Sequence, residues 1–411
     1  MRVVYVSAEL TPYASTGGLG DVAAALPAAL RRRGIDLLRL IPLYRSLRSA
    51  VREGRTLYSC LVPLVSRSVQ ARIVEIRTGD NVPTAAVDIP EYFDRAGLYG
   101  DSHGDYADNA ERFIAFQKAV LSFLSSRSQS AEVLHCNDWH TALVPVLIHA
   151  ARRGWHGGFF RADIARRTLL TIHNLAYQGI FPREAFPLTG LPDSYFHWKA
   201  MEFYGNLNLL KGGIVFADII STVSPTYARE IQEPRFGCGL HGVLRDRRAQ
   251  LFGILNGVDY SVWDPGRDRF LPARYSAANL RGKWACKAAL LHEFGLRPRS
   301  RVPLLGMVSR LVEQKGLDVL DSALALLRDV PFQMVLLGTG EPRYEKMCRD
   351  WIGQYPSRIA VRIAFDHRLA HRIEAAADIY VMPSLFEPCG LNQLYSLRYG
   401  AVPVVHDTGG L

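Results

Sequence analysis

The sequence predicts an α/β protein built from two doubly wound parallel-sheet domains, each sheet with helices on both faces. Three observations predict it. Strand-like and helix-like segments alternate along the chain, the pattern of a parallel sheet covered by helices. The alternation runs twice, on either side of a turn-rich stretch, N-G-V-D-Y-S-V-W-D-P at 256–265. And 411 residues exceed the roughly 250–300 that one core sustains.

The elements follow in order. R-V-V-Y-V-S at 2–7 reads as a strand, T-G-G-L-G-D-V at 16–22 as a glycine-rich turn, and 21–33 as a helix that Pro27 kinks and Gly34 ends. R-T-L-L-T-I at 167–172 and A-D-I-I-S-T-V at 217–223 are apolar enough for buried strands. Ser224 is placed to cap a helix with Pro225 in its first turn. In the second half, strands at 302–308, 332–338, 359–365, 378–382 and 402–405 alternate with helices at 316–329, 342–353, 367–377 and 390–398. This divides the chain into an N-terminal domain over 1–255, a linker region over 256–300 and a C-terminal domain over 301–411. The final D-T-G-G-L follows a strand directly and should open another loop and helix, so the second domain reads as C-terminally incomplete.

Composition narrows the class. Hydrophobic content of 48% and charged content of 21% are those of a globular protein. No apolar run reaches the ~18 residues of a membrane span, and the N-terminus lacks the marks of a signal peptide. A cytoplasmic protein without a membrane partner is expected. The six cysteines are scattered, with no C-x-x-C pair, so buried free thiols are expected rather than disulfides or zinc. The net charge of +10 suits anionic partners, but no basic run with interleaved aromatics marks a nucleic-acid surface.

Five stretches carry chemistry. In T-G-G-L-G-D-V, glycines permit positive φ and close approach, and the next helix offers N–H groups to an anion. The spacing is neither G-x-G-x-x-G nor a P-loop, and a tight strand–helix turn also satisfies it. S-R-L-V-E-Q-K-G at 309–316 lies past a strand end, where ligands of parallel sheets bind. Arg310 and Lys315 suit a diphosphate there, and Lys is uncommon in this chain: seven of the 49 basic residues. In L-F-E-P-C-G-L at 385–391, Pro388 keeps Glu387 extended. Its carboxylate and the N–H groups of Cys389, Gly390 and Leu391 suit sugar hydroxyls; helix capping is the plainer role. H-C-N-D-W-H at 135–140 has no metal-ligand spacing; Asp138 and His140 read as a polar cluster meeting a substrate. T-I-H-N-L-A-Y-Q-G at 171–179 ends a strand on His173 and Asn174, a core histidine or part of a reaction centre.

These motifs, with V-S-P-T-Y-A-R-E-I, L-N-G-V-D-Y-S-V-W-D-P and F-E-P-C-G-L-N-Q-L-Y, occur in order over essentially the whole chain and closely resemble bacterial glycogen synthase and plant starch synthase. The resemblance implies the GT-B architecture, two Rossmann-like domains facing a cleft. It implies a retaining hexosyltransferase that moves glucose from ADP-glucose to the non-reducing end of an α-1,4-glucan such as glycogen, with no cofactor and no metal. Carried over residue by residue, Arg310 and Lys315 match the grip on the diphosphate. Glu387 matches the carboxylate on the donor glucose, with Cys389, Gly390 and Leu391 as backbone donors. His173 and Asn174 match the residues near the transferred glucose, Asp138 and His140 the cluster beside them, and Tyr99 a tyrosine near the donor. Gly17, Gly18 and Asp21 match the N-terminal glycine loop. Thr408, Gly409 and Gly410 match a loop whose N–H groups meet the distal phosphate. Two departures stand out: Ser15 replaces a donor-binding Lys, and the chain stops where the family continues. They leave open a GT-B transferase with another donor, such as UDP-glucose, or a non-catalytic glucan-binding paralogue.

Overall fold

The computed structural model describes residues 1–101, 104–155, 157, 159–299 and 301–411. The chain forms two compact units, Met1–Gly257 and Val258–Leu411.

The first unit is built on a nine-stranded sheet. Its spatial order is Leu251–Gly253, Ile219–Thr222, Ala165–Ile172, Ala131–Asn137, Arg2–Val6, Asp36–Pro42, Thr84–Asp88, Ser68–Ile76 and Val51–Pro63. The strands from Leu251–Gly253 to Thr84–Asp88 are parallel; the last two pair antiparallel. The parallel reading therefore holds for the centre and fails at one edge. The central parallel strands Arg2–Val6, Asp36–Pro42 and Thr84–Asp88 are buried over most of their length, whereas the edge ribbon alternates buried and exposed residues over Ser68–Ile76. The first helix runs Gly18–Arg32, three residues earlier than its sequence suggests, with Pro27 inside it. Ser224 accepts the Tyr227 N–H and caps Pro225–Glu230.

The second unit holds five parallel strands in the order Ile359–Ile363, Gln333–Gly338, Leu304–Val308, Ile379–Met382 and Val402–Val405. Helices Leu317–Leu326, Pro342–Gln354, His367–Ala376 and Leu391–Arg398 connect them. The expected alternation is present, each boundary within three residues.

Residues 258–299 pack into this second unit rather than bridging as a linker. Trp263, Tyr275, Cys286 and Leu290 are buried with Leu304, Ile373 and Tyr399. Trp263 lies flat between His371 and Tyr395, each ring 3.8 Å away. The buried Asp268 carboxylate accepts hydrogen bonds from Tyr399 (2.6 Å) and His371 (2.7 Å). No sequence period announces this anchoring, because it rests on single side chains and not on a repeating face.

Candidate functional site

Each unit gathers its sequence-predicted residues at the carboxyl ends of parallel strands. In the first unit, Asp138 follows Ala131–Asn137 and His173 follows Ala165–Ile172; Asn137 and Thr171 are register partners. The two loops therefore start side by side. Asp138 Oδ1 accepts the His173 N–H at 2.7 Å. Asp138 has φ 54° and ψ −174°, a region essentially reserved for glycine, and costs of order 1–3 kcal/mol to hold. Burial raises its pKa to about 7, and the nearby Glu9 charge adds to the rise.

His173 has a defined tautomer. Asn137 donates through Nδ2 to the Val6 carbonyl at 2.9 Å, so its Oδ1 faces the other way and accepts from Tyr5 (3.1 Å) and from His173 Nε2 (2.9 Å). The ring proton sits on Nε2 and Nδ1 is the acceptor. Burial lowers the His173 pKa to about 3, so the ring is neutral at pH 7. Asn174 turns its Oδ1 onto the Ala176 N–H at 3.0 Å.

Glu9 joins this cluster without having been singled out in the sequence. It is 4% exposed and accepts the Thr16 N–H (2.9 Å), the Thr16 hydroxyl (2.7 Å) and the Tyr99 hydroxyl (2.8 Å). Tyr99 stacks on His140 at 4.7 Å, and His140 on Trp139 at 3.9 Å. One carboxylate thus ties the glycine loop to Tyr99 and, through it, to His140. Burial holds His140 well below the ordinary imidazole value, and its Nδ1 is buried without a hydrogen-bond partner. The only sequence signal was a lone carboxylate just past an apolar strand.

The glycine loop differs from expectation in its geometry. Gly17 is extended (φ −174°), while Gly18 and Gly20 are helical, so none of the three uses positive φ. Close approach is what matters at Gly20, where a Cβ would lie 2.5 Å from Ser15 Oγ and 2.8 Å from Thr11 Oγ1. Ser15 Oγ donates to the Gly17 carbonyl at 3.1 Å, and Asp21 lies in the first helical turn.

In the second unit, Leu304–Val308 and Ile379–Met382 are neighbouring parallel strands, and the loops leaving them carry Arg310, Lys315 and Glu387. Lys315 Nζ meets Glu387 Oε2 at 2.5 Å, with the two side chains 17% and 11% exposed; Ser384 donates to the same oxygen at 3.1 Å. The loops are locked by their backbones. The Leu385 N–H donates to the Gln314 carbonyl at 2.9 Å. Gly316 has φ +68°, and a Cβ there would fall 1.9 Å from the Pro383 carbonyl oxygen. Arg310 is half-buried. Cys389 and Gly390 follow Glu387, and Gly390 (φ +76°) caps the helix that begins at Leu391.

The 408–410 loop returns to the same place. The Gly410 N–H donates to the Glu387 carbonyl at 3.0 Å and the Leu411 N–H to the Thr408 carbonyl at 3.1 Å. The Gly410 N–H is thus already engaged, and the loop braces Glu387 instead of offering that group to a phosphate. Thr408 is buried, and a Cβ on Gly409 would strike the Glu387 carbonyl at 1.9 Å.

Two family models divide the chain between them: the starch synthase catalytic domain over residues 2–246 and glycosyl transferases group 1 over 292–411. A glycogen synthase from Anaeromyxobacter sp. (strain Fw109-5) is 48% identical over 416 residues, 100% of this chain and 84% of that protein. The chain belongs to the starch and glycogen synthase family. Glycogen synthase 2 of Geobacter sulfurreducens is 45% identical, again with 100% and 84% covered. Among solved structures, the catalytic domain of starch synthase IV from Arabidopsis thaliana, bound to ADP and acarbose, superposes with a TM-score of 0.90 at 33% identity. That match covers 100% of this chain and 83% of the other. Membership makes the chain a hexosyltransferase of GT-B architecture. Among the described residues, no helix is long and apolar enough to cross a membrane.

Proposed function

We propose that the chain transfers glucose from ADP-glucose to the non-reducing end of an α-1,4-glucan, with retention at the anomeric carbon. The observation that carries this reading is the Lys315–Glu387 pair on adjoining loops at the strand ends of the second unit. An ammonium has three donors. One meets Glu387, and two are left for diphosphate oxygens. Glu387, held by Lys315 and Ser384, keeps acceptor capacity for the hydroxyls of the donor glucose. Arg310, on the same loop as Lys315, adds a second cation for the diphosphate. The starch synthase relative was solved with ADP and acarbose, a nucleotide diphosphate and an oligosaccharide analogue, which supports both halves of the reading.

In the reaction, the bond from C1 of glucose to the diphosphate oxygen breaks and the bond to the acceptor's O4 forms on the same face. The acceptor hydroxyl proton passes to the departing diphosphate. The negative charge that grows on the diphosphate is what Arg310 and Lys315 stabilise. In the first unit, His173 and Asp138 bind sugar hydroxyls. The neutral His173 accepts through Nδ1, and Asp138 either accepts or, below its pKa of about 7, donates. Tyr99 and His140, tied to Glu9, form the wall beside them. With all six cysteines free, the reading places the chain in a reducing, cytoplasmic compartment.

The test compares turnover of ADP-glucose and UDP-glucose with glycogen as acceptor. ADP-glucose should be preferred by at least tenfold in kcat/KM. A second reading, transfer from UDP-glucose, is motivated by Ser15, whose hydroxyl turns back onto the Gly17 carbonyl and brings no cation to the glycine loop. Equal or better use of UDP-glucose would favour it.

A further inference from the structure

The strand order of the second unit reverses at one place. From Leu304–Val308 the chain steps outward to Gln333–Gly338 and Ile359–Ile363, then returns to the other side of Leu304–Val308 with Ile379–Met382. In an open parallel sheet the ligand crevice lies at such a reversal, outside the carboxyl ends of the two strands. Arg310 and Lys315 follow one of these strands and Glu387 follows the other.

The ladder between these two strands stops early. Its last pair is Gly306 with Tyr380, whereas the flanking ladders run on to Val308 with Leu337 and to Met382 with Val405. Side chains replace the ladder at Val308. The Val308 N–H donates to the Tyr380 hydroxyl at 3.0 Å. The Val308 carbonyl accepts from Asn392 Nδ2 at 3.1 Å and from the Tyr380 hydroxyl at 3.3 Å. Asn392 Nδ2 also donates to the Tyr380 hydroxyl at 2.6 Å. A carbonyl can only accept, so the orientation of the Asn392 amide is fixed. Tyr380 is fully buried, and Asn392 lies in the first turn of the helix that follows Glu387.

We infer that Tyr380 and Asn392 are positioning residues for the diphosphate, a wedge at the strand reversal that sets the spacing between the loop of Arg310 and Lys315 and the loop of Glu387. The inference rests on the donor reading of that site given above. The Lys315–Glu387 pair is a poor spacer, because an ammonium on a flexible four-carbon stem follows its partner over a range of separations. Tyr380 and Asn392 have fewer bonds to turn about and grip backbone groups directly. The Leu385–Gln314 hydrogen bond joins the two loops farther out; the wedge holds them at their roots.

The test uses the full chain with Tyr380→Phe, Asn392→Leu and the two combined, all close to the native volumes. The readouts are Kd for ADP by titration calorimetry and KM for ADP-glucose and for glycogen. Each single variant should raise the ADP Kd and the ADP-glucose KM about tenfold, the factor that 1.4 kcal/mol gives, with the glycogen KM changed less than about twofold. The combined variant should lose little more than the worse single one, because the two side chains share their bonds. A wedge that merely supports the fold lowers Tm and the active fraction, and so kcat, while the ADP Kd and both KM values stay put; that result would overturn the inference. Equal rises in both KM values, or multiplied losses in the combined variant, would overturn it as well. Tyr380→Phe keeps the ring and decides the matter alone if Asn392→Leu does not fold. A wild-type chain that binds ADP but transfers no glucose removes the transfer reading and leaves the Kd comparison to decide. A wild-type chain that does not bind ADP removes the donor reading and the inference with it.

Discussion

Replacing Lys315 by alanine separates a catalytic role from a merely structural ion pair. The side chain sits 2.5 Å from Glu387 and is 17% exposed, so its removal leaves a largely buried carboxylate with one hydroxyl donor, Ser384. Breaking a fully buried pair costs about 3–5 kcal/mol. With this much exposure and a remaining hydrogen bond, about 1–2 kcal/mol is expected, some 2–8 °C in Tm for a unit of this size. The chain should still fold. The effect on catalysis should be larger, because the ammonium meets charge that grows on the leaving diphosphate. Losing one such donor typically costs 10²–10³-fold, about 2.7–4 kcal/mol of transition-state stabilisation. The assay is steady-state transfer of labelled glucose to glycogen at 25 °C, below the melting transition of the variant. Lys315→Arg should recover part of the loss, since it restores charge but not the compact geometry of an ammonium. A folded Lys315→Ala chain within twofold of wild type in kcat/KM would refute the reasoning, and the pair would then be structural.

Three further outcomes follow from the same geometry. Gly20→Ala should lower Tm despite alanine's higher helix propensity, by about 1–3 kcal/mol, because the new methyl meets Ser15 and Thr11 below 3 Å; Gly17→Ala, with open space around it, should change stability by less than about 0.5 kcal/mol. Asp138 carries a raised pKa, so it favours the fold below its ordinary value near 4 and loses that contribution as pH rises to about 7. His135 and His173, lowered to about 4 and 3, favour the fold above about 6.5 and lose that contribution on acidification. Asp138→Asn removes the opposing trend, and urea unfolding at pH 7 and pH 4.5 should show a steeper acid loss than in wild type. Asp268→Ala should destabilise the second unit by about 3 kcal/mol or more, read by a thermal melt, because it strands the Tyr399 hydroxyl and His371 Nδ1 in the core.

The second unit was legible in outline because buried parallel strands are continuous apolar runs, and its helices start at visible signals such as Pro342 and Asp366. The first unit was harder. The ribbon over Val51–Ile76 joins the sheet at its edge and carries mixed residues, one face buried. The helix at Gly18 begins in residues of poor helix propensity, so tertiary packing at Gly20 overrode the local preference. Lys315 and Glu387 could be read as neighbours because both lie just past strand ends, and parallel topology brings such ends together. Asp138 was visible as a polar residue, but its strained backbone was not, since φ is a property of the fold. Glu9 was overlooked because its importance lies in contacts with residues 16 and 99, distant in sequence.

The central claim is tested most directly by locating the product's label. The chain is incubated with ADP-[14C]glucose and glycogen, and the polymer is digested from its non-reducing ends into maltose. The account predicts label in the first maltose released, with one ADP formed per glucose incorporated. Folded protein that splits ADP-glucose without labelling the chain ends, or that leaves it intact, would contradict it.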